Sequence, residues 1–349
     1  MTTSPNNIEY IFSRRPSRHA VALLSGMAWT FNHRGYSLEQ ALQNAARAAE
    51  VIIETQGQIR TDIVWPGTGW NNLAIRALGG QVQYRPQGAP QVLAPLIQTP
   101  EQAERLDLSR LISDETLATI REITQQVSNA IGETYFIGAG QWGPFTMGGL
   151  LYGTERLMRG LHRDPAGAHA VLGVATDICY RYLVALVQTG ATIISLADPS
   201  ASGDMISRRQ FETFVMPYHK ALIARLHALG LLVLVHICGN TTSRIDLMIN
   251  SGADIVSVDY KVDLQFVKAV VDERAAFAGN LDPVALLVQG TPSQIFAAAT
   301  DLLDTVGGDG NYLLMPGCDL APTTPLANVL ALALAVHASD SLPERRDHA

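Results

Sequence analysis

Two short stretches of this chain end apolar runs in side chains that bind metals. One is Leu231-Leu232-Val233-Leu234-Val235-His236-Ile237-Cys238-Gly239-Asn240, and the other is Tyr312-Leu313-Leu314-Met315-Pro316-Gly317-Cys318. Residues two apart on an extended strand leave the same face, so His236 and Cys238 project together. With Cys318 they offer one imidazole and two thiolates, a donor set suited to zinc. Three protein donors leave one tetrahedral position open, as in a catalytic zinc site. The competing reading is a buried core pair on a central strand, because free cysteine packs like a small hydrophobe. The remaining cysteine, Cys179, lies in a helical run from Val171 to Leu186 and reads as core.

Short apolar runs separated by helical patterns supply the elements that must position these residues. Strands are expected at 21–26, 63–65, 135–139, 192–196, 231–235, 255–258, from 276, and at 312–315. Helices are expected at 37–55, 165–188, 209–229, 245–250, 292–305 and 325–338. Ser37 suits an N-cap, with Glu39 in the first turn that follows. Eight strands, each followed by helix or loop, predict an α/β fold, a distorted (β/α)8 TIM barrel. Gln141, Asp198, His236, Cys238, Asp259, Asn280, Asp282 and Cys318 all fall at or just after strand ends, which in a barrel form the catalytic rim. A doubly wound open sheet is the alternative, but it does not naturally bring the ends of the fifth and eighth strands together. The Pro-rich, then polar stretch 86–113 reads as an excursion between early strands. One barrel domain is expected over residues 1–349, with an N-terminal helical extension over 1–20 and a frayed charged tail over 339–349.

The chain has 349 residues and a formal net charge of −7, without a Lys/Arg-dense stretch. Nucleic acid is therefore not an expected partner. No apolar run reaches the roughly 18 residues of a membrane span, so no membrane partner is expected either. The polar start Met1-Thr2-Thr3-Ser4-Pro5-Asn6-Asn7 has no apolar signal core. Three scattered cysteines make no disulfide framework, and the expected location is the cytoplasm, where thiolates stay available for metal.

His236-Ile237-Cys238-Gly239-Asn240, Gly279-Asn280-Leu281-Asp282-Pro283 and Met315-Pro316-Gly317-Cys318-Asp319 together resemble the uroporphyrinogen decarboxylase superfamily. The His-x-Cys pair with a distant Pro-Gly-Cys resembles its zinc-dependent, corrinoid-linked methyltransferase branch. Gly143-Pro144-Phe145-Thr146, Asp198-Pro199, Pro217-Tyr218 and Pro325-Leu326-Ala327-Asn328 extend the similarity from about residue 135 onward. The resemblance implies zinc held by His236, Cys238 and Cys318, and a corrinoid (cobalamin) supplied by a partner protein or free. The decarboxylases' N-terminal arginine-rich signature is missing; the matching stretch reads Ala22-Leu23-Leu24-Ser25-Gly26-Met27-Ala28-Trp29. A substrate with many carboxylates would need such arginines. The stretch Trp65-Pro66-Gly67-Thr68-Gly69-Trp70-Asn71-Asn72 also lacks the acidic residue of many methyltransferases in this group.

The expected activity is methyl transfer between cobalt and a small O-, N- or S-methyl substrate, or a thiol or pterin acceptor. Zinc turns a bound thiol into a thiolate at neutral pH, and two thiolate ligands keep the site electron-rich. Asp198 and Asp259 are candidates for substrate binding, for a fourth zinc ligand, or for orienting His236; the alternative is N-capping. Asn240 and Asn280 are candidate substrate contacts or loop holders. Trp142, with Trp65 and Trp70, lines a pocket or simply packs. His33, His162, His169, His219 and His227 have no ligand partner in the pattern. The partners expected are a corrinoid protein and the small substrate, with a homodimer also open. A cofactor-free decarboxylase of a small acid is the alternative, and a zinc-sequestering, non-catalytic barrel is a third reading.

Overall fold

Alternation along the strands sorts this chain into an inner and an outer apolar layer. The computed structural model describes residues 20–23, 26–272, 274–306 and 311–340. Eight strands form the main sheet: β1 (Ala20–Val21), β2 (Ile63–Gly67), β3 (Phe136–Trp142), β4 (Ile193–Ala197), β5 (Leu232–Ile237), β6 (Ile255–Val258), β7 (Ala276–Leu281) and β8 (Tyr312–Pro316). All neighbours pair in parallel, in the order β1-β8-β7-β6-β5-β4-β3-β2. A parallel bridge from Ala22 to Ile63 joins the two ends and closes the barrel.

Seven helices lie in the crossovers, α1 (Ala45–Ile59), α2 (Glu115–Ile131), α3 (Pro165–Val187), α4 (Met216–His227), α5 (Ile245–Asn250), α6 (Leu264–Val271) and α7 (Pro292–Val306), and α8 (Leu326–Asp340) follows the last strand. The expected (β/α)8 barrel is thus the fold observed. Ile63, Trp65, Phe136, Ile193, Leu232, Leu234, Ile255, Leu313 and Met315 fill the barrel interior. Their neighbours Val64, Ile137, Ile194, Val233, Val235 and Leu314 join the outer layer packed by the helices. Such two-sided burial explains why the strands read as continuous apolar runs.

Several boundaries differ from the sequence reading, each for a local reason. The first strand is only Ala20–Val21, and a helix already runs over Met27–His33. The expected helix 37–55 splits because Asn44 accepts from the Arg47 amide and starts α1 afresh. The expected helix 209–229 breaks at Val215, since Pro217 in the first turn of α4 has no N–H to continue the ladder. Helix α2 was not anticipated. Its signal lies in Leu117, Ile120, Ile123, Thr124 and Val127, all buried on one face, with Asp114 accepting from the Leu117 amide as N-cap. An antiparallel hairpin pairs Val82–Gln83, just before the excursion, with Gln91–Val92 inside it, and a 3-10 turn follows over Pro100–Arg105.

Of the N-terminal extension, only residue 20 falls within the described residues. Helix α8 continues through Ser339 and Asp340, and the rest of the tail lies outside the described residues. Among the described helices, α3 is long and apolar enough to cross a membrane by length and composition. Counting uninterrupted apolar residues missed it, because Asp177 and Arg181 interrupt the run. Here α3 packs as an outer barrel helix, burying Val171, Leu172, Ala175, Ile178 and Cys179.

Candidate metal centre at the barrel mouth

Strand parity delivers the first two donors. Leu232, Leu234 and His236 alternate toward the barrel interior, and Cys238 follows just past the strand end. Cys318 comes from the turn after β8. Its approach requires glycine at position 317, where a Cβ would meet the Tyr260 amide nitrogen at 2.5 Å. The donor atoms of His236, Cys238 and Cys318 all lie within 4.8 Å of one another. His236 Nε2 is 3.1 Å from Cys238 Sγ, and the two sulfurs are 3.0 Å apart. His236 is buried, while both cysteines are partly open to the cavity.

These residues fit zinc on the chemistry of the donor set. One imidazole and two thiols that converge on one point are the soft donor set zinc takes. The Ser257 hydroxyl bonds His236 Nδ1 at 3.0 Å and leaves Nε2 facing the thiols. The hydrogen bond from Cys238, followed by contact with His236, holds the Cys318 thiol well below its usual value against the opposing effect of burial. That same bond, followed by burial, pushes Cys238 up. The pair therefore gives up its first proton easily, as a metal-binding thiol must.

The other sequence candidates divide between cavity and scaffold. A cavity of about 170 Å³ opens over the donors and is lined by Thr68, Asn71, Asn72, Gly140, Gln141 and Trp142, among others. Trp142 borders this space and donates from Nε1 to Asn72 Oδ1 at 2.6 Å. Trp65 and Trp70 are core residues, 1% and 0% exposed.

Asp198 is fully buried, and its carboxylate is not among the clustered donors. Its carboxylate accepts from the Thr146 amide at 2.7 Å, the Thr146 hydroxyl at 2.6 Å and the Phe145 amide at 3.2 Å. It also pairs with His219 Nε2 at 2.7 Å. The structure therefore uses it to start the helix Pro144–Tyr152. Asp259 accepts from the Gly239 amide at 2.9 Å and the Lys261 amide at 3.0 Å, and so pins the turn after Cys238. Asn280 donates to the carbonyls of Asp259 and Val262 at 3.0 and 2.6 Å. Asn240 is exposed and holds its loop, its carbonyl accepting from the Gly203 amide at 3.0 Å.

Asp282 accepts from the Val284 and Ala285 amides, both at 2.8 Å, in a local turn. Ser257 and Asp319 were not singled out by sequence. Ser257 has a signal, since it precedes Asp259 by two and shares the inward face of β6. Asp319 borders the cavity and accepts from the Gly26 amide at 3.0 Å. Burial pushes its carboxyl up to about 7.

The closed parallel barrel places this His, Cys, Cys cluster at the C-terminal ends of its strands, where barrel enzymes carry their sites. The chain belongs to the uroporphyrinogen decarboxylase (URO-D) family, whose family model matches residues 18–339. Within that family it falls in the cobalamin methyltransferase branch. It is 31% identical over 240 residues to methylcobamide:CoM methyltransferase MtbA of Methanosarcina acetivorans, covering 69% of each chain. It is 32% identical over 228 residues to the protein of that name from Methanosarcina mazei, covering 65% of this chain and 66% of the relative. Uroporphyrinogen decarboxylase of Myxococcus xanthus is 29% identical over 212 residues, 59% of this chain and 58% of that one. In fold, a methyltransferase from Methanosarcina mazei superposes with a TM-score of 0.81 at 22% identity, covering 96% of this chain and 98% of that chain.

Proposed function

We propose that this chain is a zinc-dependent methyltransferase that moves a methyl group between the cobalt of a corrinoid and a heteroatom of a small substrate. The corrinoid arrives on a separate protein or free. The observation that carries this reading is the convergence of His236, Cys238 and Cys318 donor atoms within 4.8 Å at the mouth of the barrel. The curated relatives named for methylcobamide chemistry support it.

His236, Cys238 and Cys318 would hold the metal. Zinc there supplies Lewis acidity, which keeps a bound thiol ionised or makes a methylated heteroatom a better leaving group. The protein's part is positional. Ser257 fixes the His236 ring, and Asp259 fixes the Cys238 turn. Gly140, Ser195 and Ala197 leave room above the filled barrel interior, where larger inward side chains would close the cavity. Trp142 borders the cavity beside Asn72.

Elemental analysis of protein purified without chelator tests the reading, together with a spectral assay that follows cob(I)alamin and methylcobalamin. The expected result is about one zinc per chain, lost in Cys318→Ala along with methyl transfer. A zinc-free protein, or a Cys238→Ser variant that keeps full activity without zinc, would overturn it and favour the cofactor-free decarboxylase.

A further inference from the structure

The cavity beside the donor cluster carries two kinds of information about what enters it. The first is charge. Among the described lining residues there is no lysine or arginine, and the ionisable side chains are His236, Cys238, Cys318 and Asp319. No cationic side chain among the described lining residues offers a countercharge to an anionic substrate group.

The second is hydrogen bonding. Two lining residues carry buried side-chain atoms without a partner, Gln141 Nε2 and Asn71 Oδ1. Gln141 is 0% exposed. Its Oε1 accepts the Trp142 amide at 2.7 Å, which fixes the carboxamide orientation and leaves the NH2 end free. Asn72, by contrast, is engaged at both ends, accepting from Trp142 and donating to the Pro90 carbonyl. A buried amide left without a partner is costly, so its presence on a cavity wall points to a ligand that completes it.

We propose that the substrate taken beside His236, Cys238 and Cys318 is an uncharged small molecule. An acceptor oxygen on it receives the Gln141 NH2, a donor on it meets Asn71 Oδ1, and its apolar body lies toward Trp142. Anionic thiols are disfavoured. The inference rests on the methyltransferase reading for the reacting heteroatom, though the charge and hydrogen-bond arguments stand on the cavity alone.

Two thiols of similar reach test it, N-acetylcysteamine, which is neutral and carries an amide, and 2-mercaptoethanesulfonate, which is anionic. Calorimetric titration of the metal-analysed wild-type protein should show the neutral thiol binding at least about tenfold more tightly, the scale of one polar group left unpaired. Gln141→Glu keeps the acceptor for the Trp142 amide and removes the free donor. It should lose about tenfold in affinity for N-acetylcysteamine with zinc content unchanged. Gln141→Leu is the second variant and should behave the same way.

Equal or tighter binding of the sulfonate overturns the proposal. So does failure of the neutral thiol to bind, or wild-type affinity in both variants. Methyl transfer from methylcobalamin is scored separately. Its absence alongside a retained neutral preference would count against the methyltransferase reading and leave this inference standing.

Discussion

Ser257 and His236 are register partners on adjacent strands β6 and β5, and the serine hydroxyl meets the imidazole Nδ1 at 3.0 Å. One parallel pairing thus decides which ring nitrogen faces Cys238 and Cys318. Outer partners of this kind set the tautomer and rotamer of a metal-binding histidine. Ser257→Ala should therefore weaken zinc affinity by about 10- to 100-fold while leaving the folded barrel intact. Competition against a chromophoric chelator reads the affinity, with far-UV circular dichroism as the fold control. Unchanged affinity would show that packing alone orients the ring.

Asp259 offers a second, sharper contrast. Its two carboxylate oxygens take the Gly239 and Lys261 amides, and it is absent from the donor cluster. Asp259→Ala leaves both N–H groups without that acceptor and should cost about 1–3 kcal/mol of stability. Asp259→Asn keeps one acceptor oxygen and should lose less. Both variants should still hold stoichiometric zinc. Equal loss of zinc from both, with stability unaltered, would instead make Asp259 a ligand.

Gly143 and Asp198 form a close-packed pair beneath the rim. A Cβ at position 143 would lie 2.3 Å from Asp198 Oδ2 and 2.5 Å from its Cγ. The carboxylate cannot retreat, because Thr146, Phe145 and His219 all hold it. Gly143→Ala should destabilise the protein by about 1–3 kcal/mol, the usual cost of overpacking. It should also disturb Trp142, the preceding residue. Urea unfolding measures the first effect and tryptophan fluorescence the second. A variant as stable as wild type would mean that the loop yields more easily than this geometry implies.

What the sequence made legible follows the range of the interactions. Strand alternation is local, so the inward path of Leu232, Leu234 and His236 could be read directly, and the barrel followed from eight such runs. The uses of Asp198, Asp319 and Asn280 could not. A carboxylate at a strand end looks the same whether it meets a substrate or caps a helix. The partners that decide between these are 52 residues away for Asp198 and Thr146, and 293 away for Asp319 and Gly26. Glu115–Ile131 was missed for a different reason. Its polar face is large, and its apolar positions are separated by threonines and glutamines, so no continuous run announces it.

His227 and Asp254 give the fold a pH dependence that can be measured apart from the metal site. His227 Nε2 lies 2.8 Å from Asp254 Oδ2, and the same oxygen takes the Val233 amide at 2.7 Å near the start of β5. The hydrogen bond to Asp254 raises the His227 pKa, with burial opposing and the carboxylate charge adding to the rise. The folded chain therefore binds this proton more tightly than the unfolded chain, where histidine titrates near about 6.5. Stability from the pair is fully present below that value and is lost as pH rises through the higher folded pKa. The stability difference between wild type and His227→Gln should thus be largest near about pH 5.5 and shrink toward about pH 8.5. Chemical unfolding of both proteins across that range reads the slope directly. A difference that stays flat, or grows toward alkaline pH, would show that the pair is not charged in the folded protein.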